Sequence, residues 1–294
     1  MSESSVEQLF LGIDGGGTKC CALIMDAQGA VLGRGLGGAA NAYQHLLQAQ
    51  ASIIDATTLA LRDAGLPETT MGDLIAGVGL AGVNLPSVFA SVQRWQHPFK
   101  KMHLTTDLHI ACLGAHQAAN GAVIISGTGS CGYSIVDNKT TILGGHGFLL
   151  GDNGSGAWMG LEAVKAVLLA IDHLGPPTLM QALICDYLQA GNGNLVDKLA
   201  AASSGDYAKI SRFVLSAAEQ KDEIALAILR SGAAYIDALA QALWQAGPGR
   251  MSLIGGLSAY LTPWLSSATQ ANLSAPLAPP EVGAILFARQ QTAL

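Results

Sequence analysis

The sequence predicts an α/β protein built from two related domains, and three observations lead to this fold class. Two glycine-rich loops, at residues 14–19 and 126–130, each follow a short apolar strand and lead into further strands. A third glycine pair, at 255–256, follows another predicted strand. Long segments with helical periodicity lie between the second loop and this pair. The chain therefore combines two loop-bearing β-hairpins with helices, as a duplicated α/β fold does.

The composition is that of a soluble protein with a large core. Half of the 294 residues are hydrophobic, 12% are charged, and the net charge of −6 argues against nucleic-acid and anionic-membrane partners. The N-terminal segment shows neither the basic nor the apolar region of a secretory signal, and no apolar run is long enough to span a membrane. The five cysteines have no metal-site or disulfide spacing. We expect a cytoplasmic protein with reduced thiols.

The first glycine loop, "DGGGTK", opens a hairpin. Asp14 ends the strand before the loop, and residues 20–36 read as a strand, a turn and a second strand. A P-loop and a dinucleotide-binding fingerprint both need their glycines to open a helix, so neither is predicted. Three glycines and a threonine also exceed what a tight turn requires. The loop is therefore predicted to lie close to a ligand.

The second glycine loop, "GTGS", repeats this arrangement. Aligning Gly127 with Gly15 gives an offset of 127 − 15 = 112 residues, and strands are predicted on both sides of each loop. Backbone N–H groups and hydroxyls in such loops bind phosphate, so two facing phosphate loops are predicted. In "LIGGLSA", the glycine pair would let a flat ring approach the backbone, because no Cβ intervenes.

In this order, "DGGGT", "SGTGS" and "LIGGLSA" resemble the two phosphate motifs and the adenosine motif of the actin/Hsp70/sugar-kinase ATPase superfamily. "LTTDLHIACLGA", "IISGTGSCGY" and "LLGDNGSGAWMG" are similar to the N-acetylglucosamine kinase and glucosamine kinase branch of the BadF/BadG/BcrA/BcrD ATPase family. The resemblance covers nearly the whole chain. It implies two ribonuclease-H-like (actin-like ATPase) domains with a nucleotide and sugar cleft between them. We expect these domains at 1–115, joined by a C-terminal helix at 281–294, and at 116–280 with helical insertions.

The resemblance also implies ATP and Mg²⁺ as cofactors. Asp14 matches the aspartate that holds the metal, largely through water, which suits the preference of Mg²⁺ for few carboxylates and several waters. The nucleotide-binding residues implied by the motifs are Gly15, Gly16, Gly17, Thr18, Lys19, Gly127, Thr128, Gly255, Gly256 and Ser258.

Asp107 is the predicted catalytic base. It follows a strand and opens a helix, so either Thr106 or Asp107 can be a helix cap, and a carboxylate at such a strand end also lies where α/β proteins bind ligands. The resemblance implies the base role. Asn41 can cap a helix beginning at Tyr43 and also bind sugar. The implied sugar-binding residues are Asn41, Gly82, Asp107, Thr128, Gly129, Gly145, His146 and Asp152.

The activity implied is ATP-dependent phosphorylation of N-acetylglucosamine at O6, with glucosamine as the alternative sugar. A partner-activating ATPase is disfavoured because Cys112 and Cys131 lack a suitable pair for an iron–sulfur cluster. A non-catalytic sugar sensor is disfavoured because Asp14 and Asp107 are both present. The zinc motif CxCGxxGC of a neighbouring sugar-kinase branch is missing, so no zinc is expected. We expect a homodimer that acts on a small sugar.

Overall fold

The computed structural model describes residues 8–191 and 194–293, which form two compact units. The first unit comprises the described residues up to Gly121 together with those from Pro276 onward, and the second unit spans Ala122–Ala275. Each unit has its own β-sheet and its own cluster of buried apolar side chains. The predicted α/β class is confirmed.

The sheet of the first unit has the order β3-β2-β1-β4-β5. β1 and β2 form an antiparallel hairpin around the first glycine loop, as predicted, and β4 and β5 run parallel to β1. The turn after β2 is closed by Asp26, whose Oδ1 accepts a hydrogen bond from Ala30 N at 2.8 Å. The strands are β1 (Phe10–Gly15), β2 (Cys20–Met25), β3 (Val31–Gly37), β4 (Ile75–Leu80) and β5 (Lys101–Thr106).

Three helices of the first unit, α1 (Leu46–Asp63), α2 (Pro86–Gln93) and α3 (Asp107–His116), connect these strands or follow them. The predicted start of α1 at Tyr43 is wrong, because the helix begins at Leu46. Asn41 Oδ1 instead accepts hydrogen bonds from Tyr43 N and Gln44 N at 3.0 and 3.2 Å. The polypeptide bends here because Ala42 N donates to Ala81 O at 3.2 Å, which ties the segment to the end of β4.

The sheet of the second unit has the order β8-β7-β6-β9, with β9 parallel to β6 and β8 antiparallel to β7. Its strands are β6 (Gly121–Ser126), β7 (Ser130–Val136), β8 (Lys139–Gly144) and β9 (Met251–Ile254). Its helices are α4 (Gly156–Ile171), α5 (Met180–Leu188), α6 (Leu195–Leu199), α7 (Ser204–Glu219), α8 (Glu223–Trp244), α9 (Ser258–Leu261) and α10 (Ser267–Asn272). None of the helices in the part of the chain that the structure describes is both long and apolar enough to cross a membrane.

The last helix, α11 (Pro280–Thr292), lies on β1, β4 and α3 of the first unit. Glycines permit this close approach. A Cβ at Gly77 of β4 would overlap the backbone oxygen of Ala284, and one at Gly12 of β1 would overlap that of Glu281. The backbone of α11 therefore touches the sheet directly. This contact brings Glu281, which is far away in the sequence, close to Asp14 at the first glycine loop.

Candidate functional site

The site predicted in the first unit lies at the carboxyl ends of β1, β4 and β5. The three strands are parallel, and their register aligns Gly15 with Leu80 and Leu80 with Thr106. Asp14 at the end of β1 and Asp107 just after β5 are therefore brought to the same edge of the sheet. This is the edge at which open α/β sheets bind ligands.

Backbone hydrogen bonds hold the first glycine loop in place. Gly16 N donates to Lys19 O at 3.0 Å within the loop, while Ala40 N donates to Gly16 O and Ala81 N donates to Gly15 O, both at 2.8 Å. The loop is thus fixed on one side by the segment after β3 and on the other by the end of β4.

The tip of this loop faces solvent. Gly17, Thr18 and Lys19 are exposed, and a Cβ at Gly17 would meet no heavy atom within 4 Å. Gly15 differs, because a Cβ there would approach Ala40 Cβ to 3.0 Å and overlap a methyl group of Leu80. Gly15 is therefore required by packing, whereas the open tip leaves backbone N–H groups accessible to an anion.

Asp14 is in an environment rich in negative charge. The pKa of its carboxyl is raised to about 7, mainly by burial and also by the charges of Asp107 and Glu281, while the charge of Lys19 offsets part of this effect. An ionised carboxylate in this setting is stabilised by a cation. Among residues 8–191 and 194–293, no group of three or more His, Cys, Asp and Glu side chains is arranged to hold a metal ion. Mg²⁺ is commonly bound through one or two carboxylates together with water and phosphate oxygens, so the Asp14 carboxylate fits this ion.

We expect Asp14→Asn to remove the Mg²⁺ dependence of nucleotide binding. For the unaltered protein, ADP at 100 times its Kd should stabilise the fold by about 2.7 kcal/mol when Mg²⁺ is present and by less with a chelator. The variant should show the same melting-temperature shift with ADP in either condition, because its amide is a poor ligand for a hard divalent cation. A variant that kept the full Mg²⁺ effect would contradict the assignment of Asp14 to the metal.

Asp107 is the first residue of α3, and Thr106 is its cap. Thr106 Oγ1 accepts a hydrogen bond from His109 N at 3.1 Å, which decides between the two cap candidates. Asp107 Oδ1 accepts from Leu108 N at 2.9 Å. Burial raises the pKa of the Asp107 carboxyl, and the bonds to Leu108 N and to its own N oppose this effect. A raised pKa brings a carboxylate closer to the range in which a general base is effective.

Asn41 and Gly82, two residues predicted to bind sugar, are neighbours in the first unit. A Cβ at Gly82 would lie 2.8 Å from Asn41 Oδ1, and Gly82 has φ +84°, a conformation that side chains disfavour. The two residues therefore form one continuous surface beside the end of β4.

The second glycine loop joins β6 to β7 and contacts the start of α4. Gly127 N donates to Gly129 O at 2.9 Å, and the α4 residues Gly156 and Ala157 donate their N–H groups to Gly127 O and Thr128 O at 2.8 and 3.2 Å. These two N–H groups at the start of α4 are therefore already hydrogen-bonded to the loop. Any phosphate here would therefore be held by groups of the loop itself, such as the exposed Thr128.

Asp152 lies against this second loop in a strained backbone conformation. It has φ +57°, only 8% of its surface is exposed, and its Oδ1 accepts a hydrogen bond from Gly147 N at 3.3 Å. A Cβ at Gly129 would come within 2.6 Å of Asp152 Oδ2. Such strain in a buried acid favours a functional role. Burial raises its pKa, while hydrogen bonds from backbone N–H groups and the charge of His146 lower it.

The structure also brings Gly145 and the adenosine motif close to the second loop. Gly145 N donates to Ser130 O at 3.1 Å, at the end of the loop. Leu257 N donates to Ser126 O at 3.1 Å, at its beginning. Gly255 has φ +102°, and Ser258 Oγ donates to its carbonyl oxygen at 2.8 Å. A Cβ at Gly256 would meet nothing within 4 Å, which leaves room for a flat ring.

Two titratable side chains near these residues were not predicted from the sequence. Glu281 raises the pKa of Asp14 from the start of α11, and the Tyr235 hydroxyl lies 2.7 Å from where a Cβ of Gly144 would be. Burial and the charge of Asp152 raise the pKa of Tyr235. Both residues lie in helical segments with no motif of their own, so only tertiary contacts reveal them.

Comparisons with known proteins identify relatives of this chain. The profile of the BadF/BadG/BcrA/BcrD ATPase family matches residues 11–288. A glucosamine kinase from Vibrio cholerae is 34% identical over 279 residues, which cover 95% of both chains. An N-acetylglucosamine kinase from Dictyostelium discoideum is 30% identical over 62% of this chain and 61% of its own. The crystal structure of a candidate N-acetylglucosamine kinase from Chromobacterium violaceum has a TM-score of 0.91, with 28% identity and coverage of 96% and 99%.

Proposed function

Because the chain belongs to the BadF/BadG/BcrA/BcrD ATPase family, we propose that it is an ATP-dependent amino-sugar kinase that phosphorylates N-acetylglucosamine at O6. The observation that carries this proposal is the convergence of Asp14, the first glycine loop and Asp107 at the carboxyl ends of three parallel strands. Phosphoryl transfer needs neutralised phosphates, a positioned hydroxyl and a group that receives its proton. Each of these needs has a candidate residue here.

Asp107 would receive the proton of the sugar hydroxyl. One of its oxygens is oriented by Leu108 N, and Thr106 supplies the helix cap, so the carboxylate of Asp107 is not required for that purpose. Its raised pKa reflects burial, which also makes the ionised form a stronger base toward a hydroxyl held nearby.

Asp14 and the exposed loop residues 17–19 would bind the magnesium and phosphate part of Mg-ATP. Mg²⁺, when bound, neutralises charge that develops on the transferred phosphoryl group. The chain supplies one carboxylate, the Lys19 ammonium and backbone N–H groups for this purpose. The Lys19 charge already offsets part of the negative environment of Asp14.

Asn41, Gly82 and Asp152 would hold the sugar. A carboxylate accepts hydrogen bonds from two hydroxyls at once, and an amide both donates and accepts, so these groups match a ring that carries several hydroxyls. The backbone strain at Asp152 is consistent with a side chain fixed for such a contact.

Glucosamine is the second candidate substrate, because the relative that matches 95% of both chains is a glucosamine kinase. The two sugars differ at C2, where an acetamide needs apolar room and an ammonium needs a negative partner. The homodimer and the cytoplasmic location expected from the sequence belong to this proposal as well.

The test is coupled ADP release by the purified protein with Mg-ATP and each sugar in turn. We expect saturable turnover with N-acetylglucosamine, with the product phosphorylated at O6 by NMR. Turnover with glucosamine alone would support the kinase reaction and identify glucosamine, not N-acetylglucosamine, as the substrate. ADP release unaffected by either sugar would overturn the kinase proposal.

A further inference from the structure

A cavity in the first unit lies between α2 and one face of β5, separate from the residues proposed for catalysis. Its volume is about 440 Å³, which is in the range of small-molecule sites. Its floor is apolar and its remaining wall is polar. The lining residues are Ala90, Gln93, Arg94, His97, Met102 and Leu104.

The polar wall carries a positive charge and no carboxylate. Arg94 contributes a guanidinium, Gln93 an amide and His97 an imidazole. The surrounding sequence contains no Asp or Glu between Asp73 and Asp107, although the whole chain has a net charge of −6. A locally positive cavity in an acidic protein favours an anionic ligand.

The His97 ring is held by aromatic neighbours. It stacks on Phe99 with ring centroids 5.7 Å apart and an angle of 21°, and it meets Trp95 edge-on at 6.3 Å. Its Nδ1 is buried and has no hydrogen-bond partner within residues 8–191 and 194–293. The aromatic contacts therefore hold the ring in place beside the cavity.

We propose that this cavity binds a small phosphate-bearing anion, at most the size of a sugar monophosphate. A guanidinium donates two parallel hydrogen bonds to phosphate, a geometry that a compact ammonium cannot offer, and the amide and imidazole add donors. The apolar floor of Met102 and Leu104 accommodates the carbon skeleton of such a ligand. The inference does not depend on the proposed kinase activity.

The cavity lies on β5, the strand that ends next to Asp107. Leu104 is three residues before Asp107, about 10 Å along an extended strand.

The experiment uses the fluorescence of Trp95, the tryptophan of the first unit, whose ring borders His97. The full chain is titrated with inorganic phosphate and, separately, with glucosamine 6-phosphate, at constant ionic strength set with sodium chloride. We expect a saturable change that Trp95→Phe abolishes, and an affinity at least about 10-fold lower in Arg94→Gln. Whichever of the two ligands binds more tightly identifies the source of the phosphate group.

The matched control is Arg230→Gln, which removes an arginine of the second unit that lies over the Trp264 ring, at 5.8 Å from its centroid. It should bind as the unaltered protein does. A signal that follows ionic strength, or equal affinity in Arg94→Gln, would overturn the proposal. The readout requires no turnover, so failure here and failure of the kinase proposal are distinguishable. Should Arg94→Gln melt at a lower temperature, His97→Gln provides an independent variant with the same expected loss.

Discussion

We expect Asp107→Asn to lower kcat with the preferred amino sugar by at least about 100-fold, the lower end of the range for loss of a general base. The amide is nearly isosteric with the carboxylate and can still accept a hydrogen bond from Leu108 N, so the fold around α3 should persist. KM should change far less than kcat, because the loss concerns proton transfer. Steady-state ADP release as a function of sugar concentration separates the two parameters.

The matched control is Asp55→Asn, which removes an exposed carboxylate from α1 of the same unit. It should leave both parameters unchanged. Turnover of Asp107→Asn within threefold of the control would mean that another group receives the proton.

Asp107→Asn should also be more stable than the unaltered protein at neutral pH. Burial raises the pKa of Asp107 above its ordinary 3.8, so the folded state retains a proton that the unfolded state loses. The stabilising contribution of this carboxyl is therefore complete below about pH 3.8 and is lost as pH rises through the folded pKa. Asparagine does not titrate. Without metal, the difference in melting temperature, variant minus unaltered protein, should grow as pH rises above 3.8 and level off above the folded pKa; a constant difference would contradict this account.

Gly77→Ala should destabilise the first unit by about 3 kcal/mol, the upper end of the usual range for overpacked cores. The added methyl would overlap the backbone oxygen of Ala284, and a helix backbone cannot move aside as the end of a flexible side chain can. The helix α11 would have to lift from β4 and β1, and Glu281 would move with it. Urea unfolding of the purified variant measures this loss.

Gly72→Ala is its control, because a Cβ at Gly72 has only Pro98 O as a neighbour, at 4.0 Å, and φ there is not positive. We expect a change within about 0.5 kcal/mol, as for other surface substitutions. If Gly77→Ala were as stable as this control, the close contact of α11 with the sheet would not be present in solution.

The sequence by itself determined the two glycine-loop hairpins and the α/β class, because these depend on local features. An apolar run followed by an aspartate and consecutive glycines favours a strand and a turn, and both signals lie within a few residues of each other. Strands β1 and β6 end where these patterns predict, at Gly15 and Ser126. The position of Asp107 after a strand and before a periodic apolar segment is local in the same sense, whereas its predicted role as the base comes from the family resemblance.

Only the tertiary structure decided which neighbours these residues have. Thr106 caps α3, Asn41 closes a turn that precedes α1, and Glu281 acts on Asp14 across most of the chain's length. The cavity beside Arg94 likewise depends on how α2 lies on β5. Burial and charge interactions act through space, so their effects on a carboxyl are set by groups that packing brings near it. Sequence spacing carries no information about such groups. The reason for a glycine at position 77 is likewise visible only in the structure, where the backbone of α11 packs against it.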